Sequence, residues 1–259
     1  MNYLNFFENY SKTYKKKFPD YYEAFDLKEV HSKNVSIEAL NLGKKLGLNE
    51  NDLDFCQALG LFHDMGRFPQ YAKYQTFNDL ISCDHGKLSC LEAIRSRLIF
   101  EFEKNDRDIF LSCLFFHNKK DLPVFKTDKK KSLFLKILKD ADKLDIFRVV
   151  IENYLKKNKN NAMIQMNFKD SNKISSDIVA DILNNTSASI KSVNSLTDLK
   201  LFQLSWIFDF HFKFSLDEVK KRKIPQKIFS TIPESIEKQK CFDKIKESLL
   251  IKIKVLNQF

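Results

Sequence analysis

Glycine and proline each occur only 5 times in 259 residues, and that scarcity constrains the fold more than any other feature. These two residue types punctuate chains into short elements and turns, so a chain with few of them is expected to run in long helices. Residues 1–20 space Tyr3, Phe6, Phe7, Tyr10 and Tyr14 among lysines and read as a helix closed near Pro19. Residues 26–46 read as a second, with His31 in its first turns. Val30, Val35, Ile37, Leu40 and Leu42 lie toward its buried side, and Gly47 is its stop. Asn49 to Asp52 offers N-caps for a third, along which Leu53, Cys56, Leu59 and Phe62 recur at helical spacing. Residues 66–83 show no clear period, contain Pro69, and read as a loop overhanging a site. Asp84 is placed to cap a helix over 85–102, and residues 105–117 and 132–157 read as two more. Beyond a lysine- and asparagine-rich stretch at 156–161, helices are expected over 174–184, 196–214 and 235–256. The aromatic-rich segment Leu201 to Phe210 reads as packing, and His211 within it as a neutral, hydrogen-bonded structural histidine.

Composition narrows the setting. No apolar run approaches the ~20 residues of a membrane span, and the N-terminal residues carry no apolar leader. The five cysteines form no C-x-x-C pair and suit free thiols. A cytoplasmic protein without a membrane partner is the expectation, and no feature specifies an oligomeric state. The net charge of +10 comes from scattered lysines rather than from arginine, the usual base reader. No stable nucleic-acid partner is therefore expected, although a positive field favours a phosphorylated substrate.

The chemistry concentrates in Gly60-Leu61-Phe62-His63-Asp64-Met65-Gly66-Arg67. Neutral imidazole beside carboxylate is a donor mix for divalent transition ions. Four of the five histidines, His31, His63, His85 and His117, fall in the first half of the chain. With Asp64 and an aspartate from the 132–157 helix, which carries Asp140, Asp142 and Asp145, they form a candidate ligand set. No P-loop, G-x-G-x-x-G, G-x-S-x-G or cysteine–histidine device competes with it.

In this order the residues resemble the HD-domain superfamily of metal-dependent phosphohydrolases. Its H…HD…D pattern is matched by His31, His63-Asp64 and the Asp142 of Asp140-Ala141-Asp142-Lys143-Leu144-Asp145. The resemblance implies an all-α helical bundle over residues 25–155, preceded by an N-terminal helix at 1–24. A helical C-terminal extension at 156–259 would pack on that core. Two further histidines between HD and the last aspartate imply a dinuclear centre. His31, His63, Asp64 and Asp142 would hold one divalent ion (Mn, Fe, Zn, Ni, Co or Mg). His85, His117 and the other oxygen of Asp64 would hold the second. Asp145 would be an outer partner, and Asp140 would face solvent. Asp64 and Arg67 would be catalytic, Arg67 steadying a phosphate. Lys143 is either an electrostatic helper or a surface lysine; Tyr71 and Tyr74 either stack on a base or simply pack; Asp84 either orients His85 or only caps. The implied reaction is cleavage of a phosphomonoester or phosphodiester of a nucleotide-like compound by a metal-activated hydroxide. A di-iron oxygenase and a non-catalytic nucleotide sensor are the alternatives.

Overall fold

Short polar side chains start several of the helices. In the computed structural model, which describes residues 2–120, 123, 125, 128–156, 161–166 and 168–256, Asn2 accepts from the Asn5 amide to open α1 (Tyr3–Lys17). Asn49 does the same for α3 (Glu50–Phe62) through Asp52. Asp84 opens α5 (His85–Arg95) through Gly86 and Lys87. Each supplies an acceptor to amides that have no intrahelical partner. No strand occurs among the described residues, and no helix there is long and apolar enough to cross a membrane. The protein is all-α, divided into two compact units at 1–145 and 146–259. Residues 157–160 of the lysine- and asparagine-rich stretch lie outside the described residues.

The first unit holds α1, α2 (Tyr22–Lys45), α3, α4 (Arg67–Tyr74), α5, α6 (Lys104–Phe116) and the first part of α7 (Lys129–Leu155). Phenylalanine joins them. Phe25 of α2 stacks on Phe68 of α4 at 5.6 Å, and Phe7 of α1 meets Phe62 of α3 edge-on at 5.9 Å. Phe134 of α7 lies 4.8 Å from Phe55 of α3. Gly47, at φ +71°, turns the chain out of α2. α2 and α3 then approach closely at Gly60, where a Cβ would fall 2.6 Å from the Ser36 Cα and 2.7 Å from the Val35 carbonyl oxygen. α1 is tied to α2 through Glu29, which accepts from Ser11 (2.6 Å), Lys15 (2.8 Å) and Lys33 (2.7 Å).

Four expectations are corrected. Residues 66–83 are not one loop: Arg67–Tyr74 is helical, because Pro69 falls in the first turn, where no amide is needed. The helix after Asp84 stops at Arg95 rather than near 102, because Arg97 takes φ +63°. α2 buries His31, Ser32, Val35, Ser36, Ala39 and Leu42, whereas Val30 and Ile37 are exposed. Its inner stripe is part polar, so hydrophobicity alone misplaces the face, and its start at Tyr22 puts His31 well inside the helix. Residues 196–214 break into α10 (Leu196–Ser205), a 3₁₀ turn and the start of α11 (Lys213–Lys221). Ser205 sits at that break, donating to the Phe202 carbonyl and accepting from the Ala188 amide.

The second unit contains the rest of α7, α8 (Ala162–Gln165), α9 (Ser176–Leu183), α10, α11, α12 (Ile224–Phe229) and α13 (Ile236–Val255). Leu201, Leu204, Ile207 and Phe210 are buried as the packing segment requires. Two buried lysines, Lys200 and Lys238, donate to the carbonyls of Thr231 and Ile232 beyond the end of α12. They neutralise backbone acceptors rather than form a binding patch.

Gly60→Ala is expected to cost about 1–3 kcal/mol, because backbone rather than side chain blocks the new methyl; urea unfolding measures it. Burial alone would raise the Glu29 carboxyl, but its three donors outweigh this and lower it to about 2. Its stabilising contribution is therefore complete above the unfolded value near 4.5 and lost as pH falls toward 2. Glu29→Gln is expected to flatten the acid limb of a stability-versus-pH profile within that window.

Candidate metal centre

Three of the four first-half histidines sit where helices end. His63 follows α3, His117 follows α6, and His85 opens α5. His31 lies inside α2, and Asp142 and Asp145 lie one turn apart on α7. All four imidazoles are buried, as are Asp64 and Asp145. The turn after α3 reaches the others because of Gly66. A Cβ there would lie 2.4 Å from the His85 carbonyl oxygen, and its amide donates to Ser89 Oγ at 2.9 Å.

Asp64 divides the cluster between its two oxygens. On the Oδ2 side, His31 Nε2 is 3.6 Å away and His63 Nε2 3.7 Å. Those two nitrogens lie 3.1 and 3.5 Å from Asp142 Oδ1. On the Oδ1 side, His85 Nε2 is at 3.4 Å and His117 Nε2 at 3.6 Å. Overlapping groups of these six residues bring one donor atom each within 4.8 Å of one another.

Every Nδ1 is engaged away from the pocket. His31 Nδ1 lies 2.7 Å from Asp145 Oδ2, and His63 Nδ1 2.8 Å from the Gly60 carbonyl oxygen. His85 Nδ1 is 2.5 Å from Asp79 Oδ2, and His117 Nδ1 2.7 Å from the Leu114 carbonyl oxygen. An ionised carboxylate or a carbonyl only accepts, so each Nδ1 carries the hydrogen, and a neutral ring turns a bare Nε2 inward. The Nε2 atoms of His85 and His117 then face each other at 3.0 Å, lone pair to lone pair. His63 Nε2, Asp64 Oδ1 and Asp142 Oδ1 are buried without a hydrogen-bond partner. A cluster of inward acceptors lacking donors is what a divalent cation satisfies, so the residues fit such an ion.

Charge in the pocket follows the same division. Burial, reinforced by Arg67, pushes His85 down to about 3, and burial with the nearby His63 also lowers His117. Both rings are neutral. Burial and Lys28 push His31 down too, but the carboxylates of Asp142 and Asp145 outweigh them and hold it up at about 9. Burial would raise Asp64, yet Lys28, His63 and Arg67 keep it well below the usual carboxylate range. His31 and His63 do the same for Asp142.

Of the residues singled out in the sequence, Arg67 stands beside Asp64, its Nε 3.4 Å from Oδ1. Its Nη1 is committed to the Phe77 carbonyl, Gln70 and Asp79. Lys143 follows Asp142 on α7 and is half-buried. Tyr71 packs against Tyr21, Phe25 and Phe77, whereas Tyr74 is exposed beside Lys73. Asp140 is fully buried, correcting the expectation that it faces solvent. Asp84 caps α5 and contacts Lys119 and Asn118; the partner of His85 is Asp79 instead.

Sequence reasoning missed Lys28, whose Nζ lies 2.8 Å from Asp64 Oδ2 and 5.2 Å from the Phe77 ring centroid. Its signal was available: Lys28 precedes His31 by three positions and so shares its helix face. Asp79 and Phe77 had none, since a turn of irregular backbone brings them in.

Residues 29–146 match the family model of the HD domain. No curated protein and no solved structure matches the chain. If the pocket holds ions, a chelator should lower Tm by about 5–10 °C relative to protein at a hundredfold excess over Kd. Scanning calorimetry reads this, and re-addition of manganese should restore it.

Proposed function

Because the chain carries an HD domain in residues 29–146, the domain of a superfamily of metal-dependent phosphohydrolases, we propose that it hydrolyses a phosphomonoester or phosphodiester bond of a nucleotide-like substrate at a dinuclear centre. The observation that carries this reading is the gathering of imidazole nitrogens around the two oxygens of Asp64: His31 and His63, which also meet Asp142, on the Oδ2 side, and His85 and His117 on the Oδ1 side. Divalent ions bound there would lower the pKa of a coordinated water and draw charge from phosphoryl oxygens.

The chain's own groups supply the rest. Asp64, held ionised by Lys28 and Arg67, anchors both halves of the site and needs no separate base beside it. Lys28 and Arg67 place two cations at its edge, where they would meet an anionic substrate; the Arg67 guanidinium can bind two oxygens at once. This pair favours a phosphorylated substrate over the uncharged one that an oxygenase could accept. Phe77, under both cations, and Tyr71 against it form an aromatic edge suited to a base. Lys143 is a further cation beside Asp142, and Tyr74 is an outlying contact.

A screen of nucleotides and generic phosphoesters with manganese under anaerobic conditions tests the reading, phosphate or alcohol release being the expected result. Substrate-dependent oxygen consumption with a mixed-valence iron signal would replace it with the oxygenase. Absence of both bound metal and turnover would replace it with the sensor. Asp64→Ala is expected to reduce turnover to the uncatalysed background and to empty the shared anchor. Lys28→Met should lower kcat/KM roughly 10–150-fold, the worth of a charged hydrogen bond of ~1.5–3 kcal/mol, while leaving the metal content in place.

A further inference from the structure

Asp79 opens the 3₁₀ turn Asp79–Ile81 between α4 and α5, and its two oxygens are divided as those of Asp64 are. Oδ2 accepts from His85 Nδ1 at 2.5 Å and from Asn118 Nδ2 at 3.1 Å. Oδ1 accepts from Arg67 Nη1 at 3.0 Å and from Gln70 Nε2 at 2.8 Å. Donors from α4, α5 and the residues after α6 thus converge on one carboxylate. Its seat is firm: fully buried Gln70 also donates toward Ser82 Oγ and the Cys83 carbonyl, and Ser82 Oγ donates to the Asn78 carbonyl.

We propose that Asp79 is a positioning residue that fixes His85 in the one tautomer able to ligate an ion on the Oδ1 side of Asp64 and, through its other oxygen, fixes Arg67 beside that ion. The proposal rests on the dinuclear reading above. His63 and His117 are oriented by carbonyls of their own helices and His31 by Asp145 of α7. His85 alone depends on a carboxylate supplied by the turn between α4 and α5.

The chemistry singles out a carboxylate at this position. An amide would offer one acceptor and one donor to four donors. With its NH2 toward His85, Nδ1 would have to accept, the hydrogen would move to Nε2, and the lone pair facing Asp64 would be lost. With its NH2 the other way, it would meet Arg67 and Gln70 donor to donor. Asp79→Asn therefore keeps the shape and removes the function.

Manganese titration of the full-length chain, with bound metal counted by elemental analysis, tests this. Wild type is expected to hold two ions. In Asp79→Asn the weaker ion should lose roughly 10–100-fold in affinity, and the tighter one should stay within about twofold. Adding Asp79→Asn to His85→Ala should cost no further affinity, since both act on one ligand. Two ions bound by Asp79→Asn with wild-type affinities overturns the proposal. So does a parallel loss of both ions together with a lowered Tm, which marks Asp79 as only a brace for the turn. If Asp79→Asn does not fold, Asn118→Ala removes one of the donors that seat Oδ2 and should weaken the second ion alone by roughly 2–10-fold; unchanged binding overturns the proposal equally. A wild-type chain holding a single ion would instead defeat the dinuclear reading, and this one with it.

Discussion

A buried carboxylate has to be compensated, and the first unit is arranged around compensating Asp64. Taking an ionised group out of water is costly unless charge or donors replace the water. Here Lys28 and Arg67 provide part of that replacement from one side. All four imidazoles turn Nε2 toward Asp64 because Nδ1 is bonded elsewhere, and on the neutral rings of His85 and His117 that nitrogen is a bare acceptor. The residual deficit is positive charge, and it falls between neighbouring acceptors on both sides of a single carboxylate. This is why the pocket reads as a cation site rather than as a buried polar network, in which donors would alternate with acceptors.

The scaffold follows from that demand. The candidate ligands come from α2, the α3 end, the α5 start, the α6 end and α7, so five segments must meet. Two absent side chains allow it: at Gly60 for α2 against α3, and at Gly66 for the turn against α5. Stacked and edge-on phenylalanines then hold α1, α2, α3, α4 and α7 around the polar interior without adding polar groups of their own.

The metal-site candidates were legible because imidazole and aspartate are few and their order is distinctive. The helices were legible because caps such as Asn49 and Asp84 act within three residues. What escaped was non-local or compositionally ambiguous. The inner face of α2 carries His31, Ser32 and Ser36, so a search for apolar periodicity favoured Val30 and Ile37, which are exposed. Pro69 read as a breaker although it stands in a first turn, where it is harmless. Asp79 lies six positions from His85 across irregular backbone, and no periodicity connects them. Asp140 read as solvated because α7 has carboxylates on several faces, and the chain alone does not say which face is covered.

The carbonyls that lock His63 and His117 are those of Gly60 and Leu114, each three residues back in the closing turn of its own helix. Such carbonyls have no amide ahead of them to bond, so each ring finishes its helix with one nitrogen and offers the other to the pocket. Half of the imidazole set is therefore oriented by its own secondary structure rather than by a tertiary partner. In an evolving lineage the two histidines would carry a double tenure: a replacement that removes the inward nitrogen also leaves a helix end unfinished, which slows the loss of the cluster.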